Sequence, residues 1–106
     1  MSAEPFNIVY DEGVVEHLTA IETKHHSMIR DEIEQQLTHQ PEVETRNRKP
    51  LRRPSPHGAT WEIRFGPDNR FRVFYKIDGA RRELQVVAIG VKERERLWVG
   101  GKEVTS

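Results

Sequence analysis

Apolar and charged side chains alternate between residues 60 and 77, in the segment TWEIRFGPDNRFRVFYKI. In the first arm every second residue from Trp61 to Phe65 is apolar, and a period of two is typical of a half-buried strand. The second arm repeats this pattern from residue 71 to residue 77, with one apolar exception at Phe74. Because the intervening GPDN residues favour turns, the segment predicts an antiparallel β-hairpin with one apolar and one charged face.

The pairing of this hairpin places two positive charges together. If Phe65 pairs with Phe71 across the turn, Arg64 lies directly opposite Arg72 on the charged face. Like charges so placed repel each other by a few tenths to about 1 kcal/mol. We therefore expect a compensating anion at this position.

Helical periodicity precedes the hairpin. Residues 6–10 form a β-rich run that predicts a strand. Apolar residues then recur at spacings of three and four from Val14 to Ile21 and from Met28 to Leu37, and Pro41 ends the second stretch. One long helix and two shorter ones both fit this pattern. We favour two helices that meet near residues 23–27, because a helical hairpin packs better on a small sheet.

A second strand is predicted after the hairpin, from Glu83 to Val91, where the sequence is ELQVVAIGV. Its residues are apolar on both faces from Val86 to Ile89, which is typical of a central strand. The segment from residue 92 onward fits a short helix, an extended segment, or both in succession.

Composition limits the class of protein. A chain of 106 residues is long enough for one domain, which we place at residues 1–106. The absence of cysteine excludes disulfides and thiolate zinc sites. No signal-like segment or long apolar run is present, so we expect a cytoplasmic protein without a membrane span. Because His25 and His26 are adjacent and diverge on a helix, we expect no metal site and no cofactor.

Charge is segregated along the chain although the net charge is zero. Residues 1–45 hold ten acidic and two basic side chains, a net charge of −8, whereas residues 46–72 hold eight basic and two acidic ones, a net charge of +6. Within the basic part, the segment RNRKPLRR carries five positive charges in eight residues. It is either a solvated loop or an anion-binding surface. Arginine favours the second interpretation, because its planar fork matches phosphate oxygens.

The order of these elements, with the NRKPL loop, the WEIRF and FRVFY strands and the AIGVK strand end, resembles the RelE/ParE toxin superfamily of bacterial toxin–antitoxin systems. The resemblance extends over nearly the whole chain, is most specific from Asn47 to Lys92, and is closest to the RelE-like, plasmid-stabilisation branch. It implies an α+β fold, in which a small antiparallel sheet of about four strands carries an N-terminal α-helical hairpin on one face and a concave basic surface on the other.

The resemblance also implies an activity. RelE-like toxins bind messenger RNA in the ribosomal A site, cleave it and so inhibit translation, and Arg64, Arg72 and Lys92 match basic catalytic positions of that family. Guanidinium groups stabilise the charge that builds on a phosphate when a ribose 2′-hydroxyl attacks it. The wider set expected to bind RNA or another anion comprises Arg46, Arg48, Lys49, Arg52, Arg53 and Trp98.

Two positions depart from the family pattern. Glu62 stands where the best-known members have a basic residue, and Trp98 stands at the C-terminal tyrosine position of many members. Trp98 exchanges no proton at neutral pH, so the general acid and base are altered or absent. His57 is a substitute that we do not favour, because it lies in a loop rich in proline and glycine.

The expected partners are an acidic antitoxin protein and messenger RNA on the ribosome. Two alternative functions stay open: a ParE-like inhibitor of DNA gyrase, which shares the fold without the catalytic residues, and a homologue that only binds its antitoxin. Fold alone does not choose among them, because function resides in the site. The sequence leaves codon preference, the identity of the antitoxin and the oligomeric state undetermined.

Overall fold

The computed structural model describes residues 4–53 and 56–104, which form an α+β fold. In chain order the strands and helices are β1 (Asn7–Tyr10), α1 (Gly13–Thr19), α2 (His26–Leu37), β2 (Arg48–Pro50), β3 (Trp61–Phe65), β4 (Phe71–Asp78), β5 (Glu83–Glu93), β6 (Arg96–Val99) and β7 (Lys102–Val104). Among these residues, no helix is long and apolar enough to cross a membrane.

One sheet contains all the strands that the structure describes. Strands β2, β3, β4, β5, β6 and β7 follow one another as antiparallel neighbours, and β1 pairs in parallel with residues 83–86 of β5. The sheet of about four strands expected from the sequence is therefore too small, because the described chain forms seven. The additional strands are β2, within the basic segment, and β6 and β7, where the sequence left the conformation open.

The hairpin of β3 and β4 has the predicted register. Phe65 pairs with Phe71, and Arg64 pairs with Arg72. The connecting turn begins at Gly66, whose φ is 83°. A Cβ atom there would lie 2.6 Å from the Phe71 ring, so glycine satisfies both the backbone conformation and the close packing.

Helix α2 covers the apolar face of the sheet. Ile29, Ile33 and Leu37 recur at helical spacing, are buried, and pack against the inward side chains of β3, β4 and β5. A short 3-10 turn, Thr23–His25, separates α2 from α1. The prediction of two helices that meet near residues 23–27 is thus confirmed.

Helix α1 occupies a different position from the one expected. It lies along the edge of β5, in the interval between β1 and β6, where the Nδ1 atom of His17 accepts a hydrogen bond from the backbone N–H of Ile89 at 3.3 Å. An apolar groove of about 320 Å³ runs between α1 and α2. The N-terminal helical hairpin expected from the sequence is therefore not confirmed.

A second apolar cluster lies on the opposite face of the sheet, formed by Ala59, Phe74, Val87, Ala88 and Val99. Strand β5 bulges here, because Phe74 pairs with Ala88 while Tyr75 pairs with Val86, which leaves Val87 as an extra residue. The bulge explains why β5 is apolar on both faces.

Candidate nucleic-acid interface

Charged side chains gather at one end of the sheet face opposite α2. Glu62 and Arg64 stand two residues apart on β3, and Arg72 faces Arg64 across the strand pair. On its other side Arg72 pairs with Gly90 of β5. Because side chains alternate along a strand, Lys92 lies on the same face as Gly90. The structure thus brings the three predicted catalytic residues to one surface.

Glu62 lies between the two arginines. Its Oε1 atom is 2.8 Å from Nη1 of Arg72, and its Oε2 atom is 3.8 Å from Nη2 of Arg64. The Nε atom of Arg72 also donates a hydrogen bond to the Asn69 carbonyl at 3.0 Å. A carboxylate of the chain itself therefore partly compensates the facing arginines, whereas the sequence suggested an external anion. The sequence contained a signal for this contact, because Glu62 and Arg64 are two residues apart on a strand and their side chains therefore lie on the same face.

The two arginines differ in exposure. The Arg72 side chain is 11% exposed and is held in place by its bonds to Glu62 and Asn69. The Arg64 side chain is 30% exposed, and its contact with Glu62 is longer than a hydrogen bond. Arg64 therefore has donors available to an incoming anion, and Arg72 has a fixed orientation beside it.

An open cleft of about 610 Å³ extends from Arg72 between two hairpin turns. Its basic side chains are Arg70, Arg72, Lys92 and Arg94, and its acidic ones are Asp68, Glu93 and Glu95. Arg70 and Glu93 form an ion pair at 3.0 Å. The cleft is therefore of mixed charge.

The basic segment divides between the two faces of the sheet. Lys49 is exposed and pairs with Glu62, which places it on the face of Arg64 and Arg72. Arg46, Arg52 and Arg53 are also exposed. Their exposure leaves them accessible to a large anionic partner.

Arg48 points to the helical side instead. It is 5% exposed, and its guanidinium donates to the Gln36, Gln40 and Val43 carbonyls and to Oε1 of Gln36. These bonds satisfy carbonyl groups at and beyond the end of α2. Arg48 is thus placed to hold the connection after α2. The sequence analysis had assigned it to the anion-binding set, and its buried position does not fit that role.

Trp98 also lies away from the arginines. It pairs with Val91, which packs on the helical side of the sheet, and it borders a separate pocket that also includes His17 and His25. The His57 ring lies 5.2 Å from the His17 ring, beside α1. Desolvation, reinforced by the nearby charge of His57, lowers the pKa of His17.

Comparison with known proteins gives one informative result. A chain from the crystal structure of the toxin–antitoxin complex RelBE2 from Mycobacterium tuberculosis matches with a TM-score of 0.66, covering 83% of this chain and 99% of that chain at 19% identity. No protein-family model and no curated protein sequence matches. At this identity the likeness establishes the fold alone, and the RelE-like fold expected from the sequence is confirmed.

Proposed function

We propose that this chain is the toxin of a type II toxin–antitoxin system and that it cleaves messenger RNA on the ribosome. The observation that carries the proposal is the facing pair of Arg64 and Arg72 on the open end of a RelE-like sheet. The fold shared with a chain of a toxin–antitoxin complex supports the same conclusion. Inhibition of translation, and stabilisation of a plasmid that carries the system, follow from this activity. The site of action is the cytoplasm.

The arginines form a clamp for the scissile phosphate. Arg72 uses Nε and Nη1 for internal hydrogen bonds, which fix the plane of its guanidinium. Arg64, the more exposed of the two, offers donors to the incoming phosphate, and Lys92 adds a third positive charge from β5. Donors fixed before the reaction stabilise the developing charge without reorganisation, which is the largest contribution in many enzymes.

The reaction is an internal transesterification. The ribose 2′-oxygen attacks the adjacent phosphorus, the bond from phosphorus to the 5′-oxygen breaks, and the products are a 2′,3′-cyclic phosphate and a 5′-hydroxyl. Glu62 is the carboxylate beside both arginines, so we assign it to accept the 2′-hydroxyl proton. Water in the exposed cleft protonates the departing 5′-oxygen.

An acidic antitoxin is the second proposed partner. Its carboxylates would neutralise the basic segment that precedes β3. The groove between α1 and α2 offers an apolar surface, with Val14, Leu18, Ile29 and Ile33 in its lining and Val15 at 67% exposure. An amphipathic helix of the antitoxin fits such a groove by burying its apolar side.

Induced expression in bacteria tests the nuclease proposal. Wild-type chain should arrest growth and leave cut messages, and the double variant Arg64→Ala, Arg72→Ala should do neither. The double variant Arg30→Ala, Arg81→Ala removes two exposed arginines elsewhere and should stay toxic. Circular dichroism must show that both variants fold. Undiminished toxicity of the clamp variant would refute the proposal.

One observation favours the alternative that this chain only binds its antitoxin and cleaves no RNA. Glu62 already satisfies part of the charge of Arg72, so the surface could serve only to hold an antitoxin. In that case the wild type has no effect on growth, yet still binds its antitoxin. DNA damage with gyrase trapped on DNA would indicate a ParE-like function instead.

A further inference from the structure

A pocket of about 240 Å³ lies on the helical side of the sheet, and the proposed cleavage does not use it. Ile21, Ile89 and Val91 supply its apolar part, and the Trp98 indole borders it. Gly100 and Gly101, both at positive φ, form another border close to Ala20. We call this the Trp98 pocket.

The Trp98 pocket adjoins the cleft that contains Arg72 and Lys92. Arg70 and Glu93 border both spaces, and their ion pair at 3.0 Å stands between them. This pair lies between the turn after β3 and the turn after β5. A flexible strand that crosses the end of the sheet at this place would contact the cleft and the Trp98 pocket in succession.

The chemistry of the pocket suits a flat ring better than a phosphate. Two carboxylates stand at its border, each in an ion pair, Glu93 with Arg70 at 3.0 Å and Glu22 with Lys24 at 3.3 Å. The charge of Arg70 is therefore already compensated and does not attract a phosphate, whereas ring N–H and amino groups can still donate to the carboxylate oxygens. The volume is below the roughly 300–1,000 Å³ of sites for drug-sized ligands, so it suits a single ring system.

We propose that the Trp98 pocket binds a nucleobase of the RNA strand whose phosphate lies in the Arg64–Arg72 clamp. The inference rests on the proposed function and adds a base-binding site to it. The indole of Trp98 stacks on the base, and the carboxylates favour bases that carry an amino group. Stacking on an aromatic side chain tolerates many sequences, because every base has a π-face.

The test uses Trp98 as a reporter. The chain has two tryptophans, and Trp61→Phe leaves Trp98 as the sole indole while it keeps an aromatic ring against Tyr75. Labelled single-stranded hexaribonucleotides are titrated at low salt, with RNA anisotropy and indole fluorescence measured together. We expect Trp98 quenching to follow the anisotropy curve. Trp98→Ala should weaken binding by about 5- to 150-fold, the equivalent of one stacked base.

A filling variant avoids removal of the indole itself. Ala20 borders the pocket and is exposed, so Ala20→Leu fills the pocket without disturbing the core. It should weaken RNA binding as Trp98→Ala does. The matched control is Ala80→Leu in the turn between β4 and β5, which is also exposed and should leave binding unchanged.

The outcomes separate this inference from the proposed function. If Arg64→Ala with Arg72→Ala abolishes RNA binding while Ala20→Leu binds normally and Trp98 emission does not change, the pocket proposal is overturned and the clamp stands. If no free RNA binds, the toxicity of the clamp variant decides the clamp, because the proposed cleavage takes place on the ribosome, and free adenosine at millimolar concentration decides the pocket. Saturable quenching of Trp98 fluorescence by adenosine supports a base site if Ala20→Leu removes it. The absence of quenching by adenosine overturns the base site. Quenching only by an antitoxin would make the pocket a protein-binding site and overturn the proposal.

Discussion

Replacement of Arg48 should destabilise the protein far more than replacement of any exposed arginine. Its guanidinium makes four hydrogen bonds of 2.7–3.1 Å to the chain at and beyond the end of α2. Arg48→Ala removes all of them and leaves the Gln36, Gln40 and Val43 carbonyls without this donor. Arg48→Lys keeps the charge but lacks the planar fork.

The magnitude follows from this geometry. A hydrogen bond to a charged group contributes about 1.5–3 kcal/mol net, so four independent bonds would contribute about 6–12 kcal/mol. Two features reduce this sum. Gln36 and Gln40 are exposed, so water can reach their carbonyls. The buried Nε of Arg48 has no partner within residues 4–53 and 56–104, which already costs stability. Since these two features offset roughly half of the sum, we expect a loss of about 3–5 kcal/mol.

Equilibrium unfolding in urea measures the change. Arg48→Ala should lower the free energy of unfolding by about 3–5 kcal/mol, a large part of the roughly 5–15 kcal/mol typical of a native protein. Arg48→Lys should lose about half as much. The control is Arg46→Ala, an exposed arginine two residues earlier, which should stay within about 0.5 kcal/mol of the wild type.

The slope of free energy against urea must stay unchanged, because a new slope would signal a change in the unfolded state. A loss below about 1 kcal/mol for Arg48→Ala would refute the capping role. If such a stable variant also lost RNA affinity, Arg48 would belong to the anion-binding surface after all.

Three further predictions concern other polar groups. Tyr75 is fully buried and its hydroxyl donates to the Pro41 carbonyl at 2.8 Å, so Tyr75→Phe leaves that carbonyl unpaired and should lower the free energy of unfolding in urea by about 1–3 kcal/mol. No loss would mean that water replaces the hydroxyl. Desolvation lowers the pKa of His17 below its usual 6.5, so its contribution to stability is complete above pH 6.5 and is lost as the pH falls through the folded pKa. The urea midpoint of the wild type should therefore fall more between pH 7.5 and pH 5.5 than that of His17→Gln, and parallel profiles would contradict this. Glu62→Gln should bind RNA more tightly and cleave it more slowly, since it removes a negative charge from the clamp and the proposed base; if cleavage also accelerates, Glu62 is only a competitor for the arginines.

The spacing of apolar residues was sufficient to predict the β3–β4 hairpin, where they recur every two residues, and helix α2, where they recur every four. The register of β3 and β4 follows from a turn of fixed length, and α2 follows from Ile29, Ile33 and Leu37. The strands that the sequence missed are short. Strand β2 has three residues and ends in a proline, so its pairing with β3 depends on distant backbone groups that no local pattern records.

The candidate site was predictable only in part. The opposition of Arg64 and Arg72 follows from the hairpin register. The inward direction of Arg48 does not, because its acceptors lie five to twelve residues away along the chain. Similarly, Trp98 belongs to a strand whose register depends on β5, so the face it occupies could not be assigned in advance.

The central position of strand β5 affects the order in which the chain can fold. It pairs with β4 on one side and with β1 and β6 on the other, and α1 lies against the same edge. Its pairing with β1 joins Asn7 to Glu83, so residues at opposite ends of the sequence must meet. Contacts this distant are formed late, because a long loop must close before they stabilise anything. During synthesis the first eighty residues therefore lack their central partner, and the sheet that carries the arginine clamp is completed only after β5 has left the ribosomal tunnel.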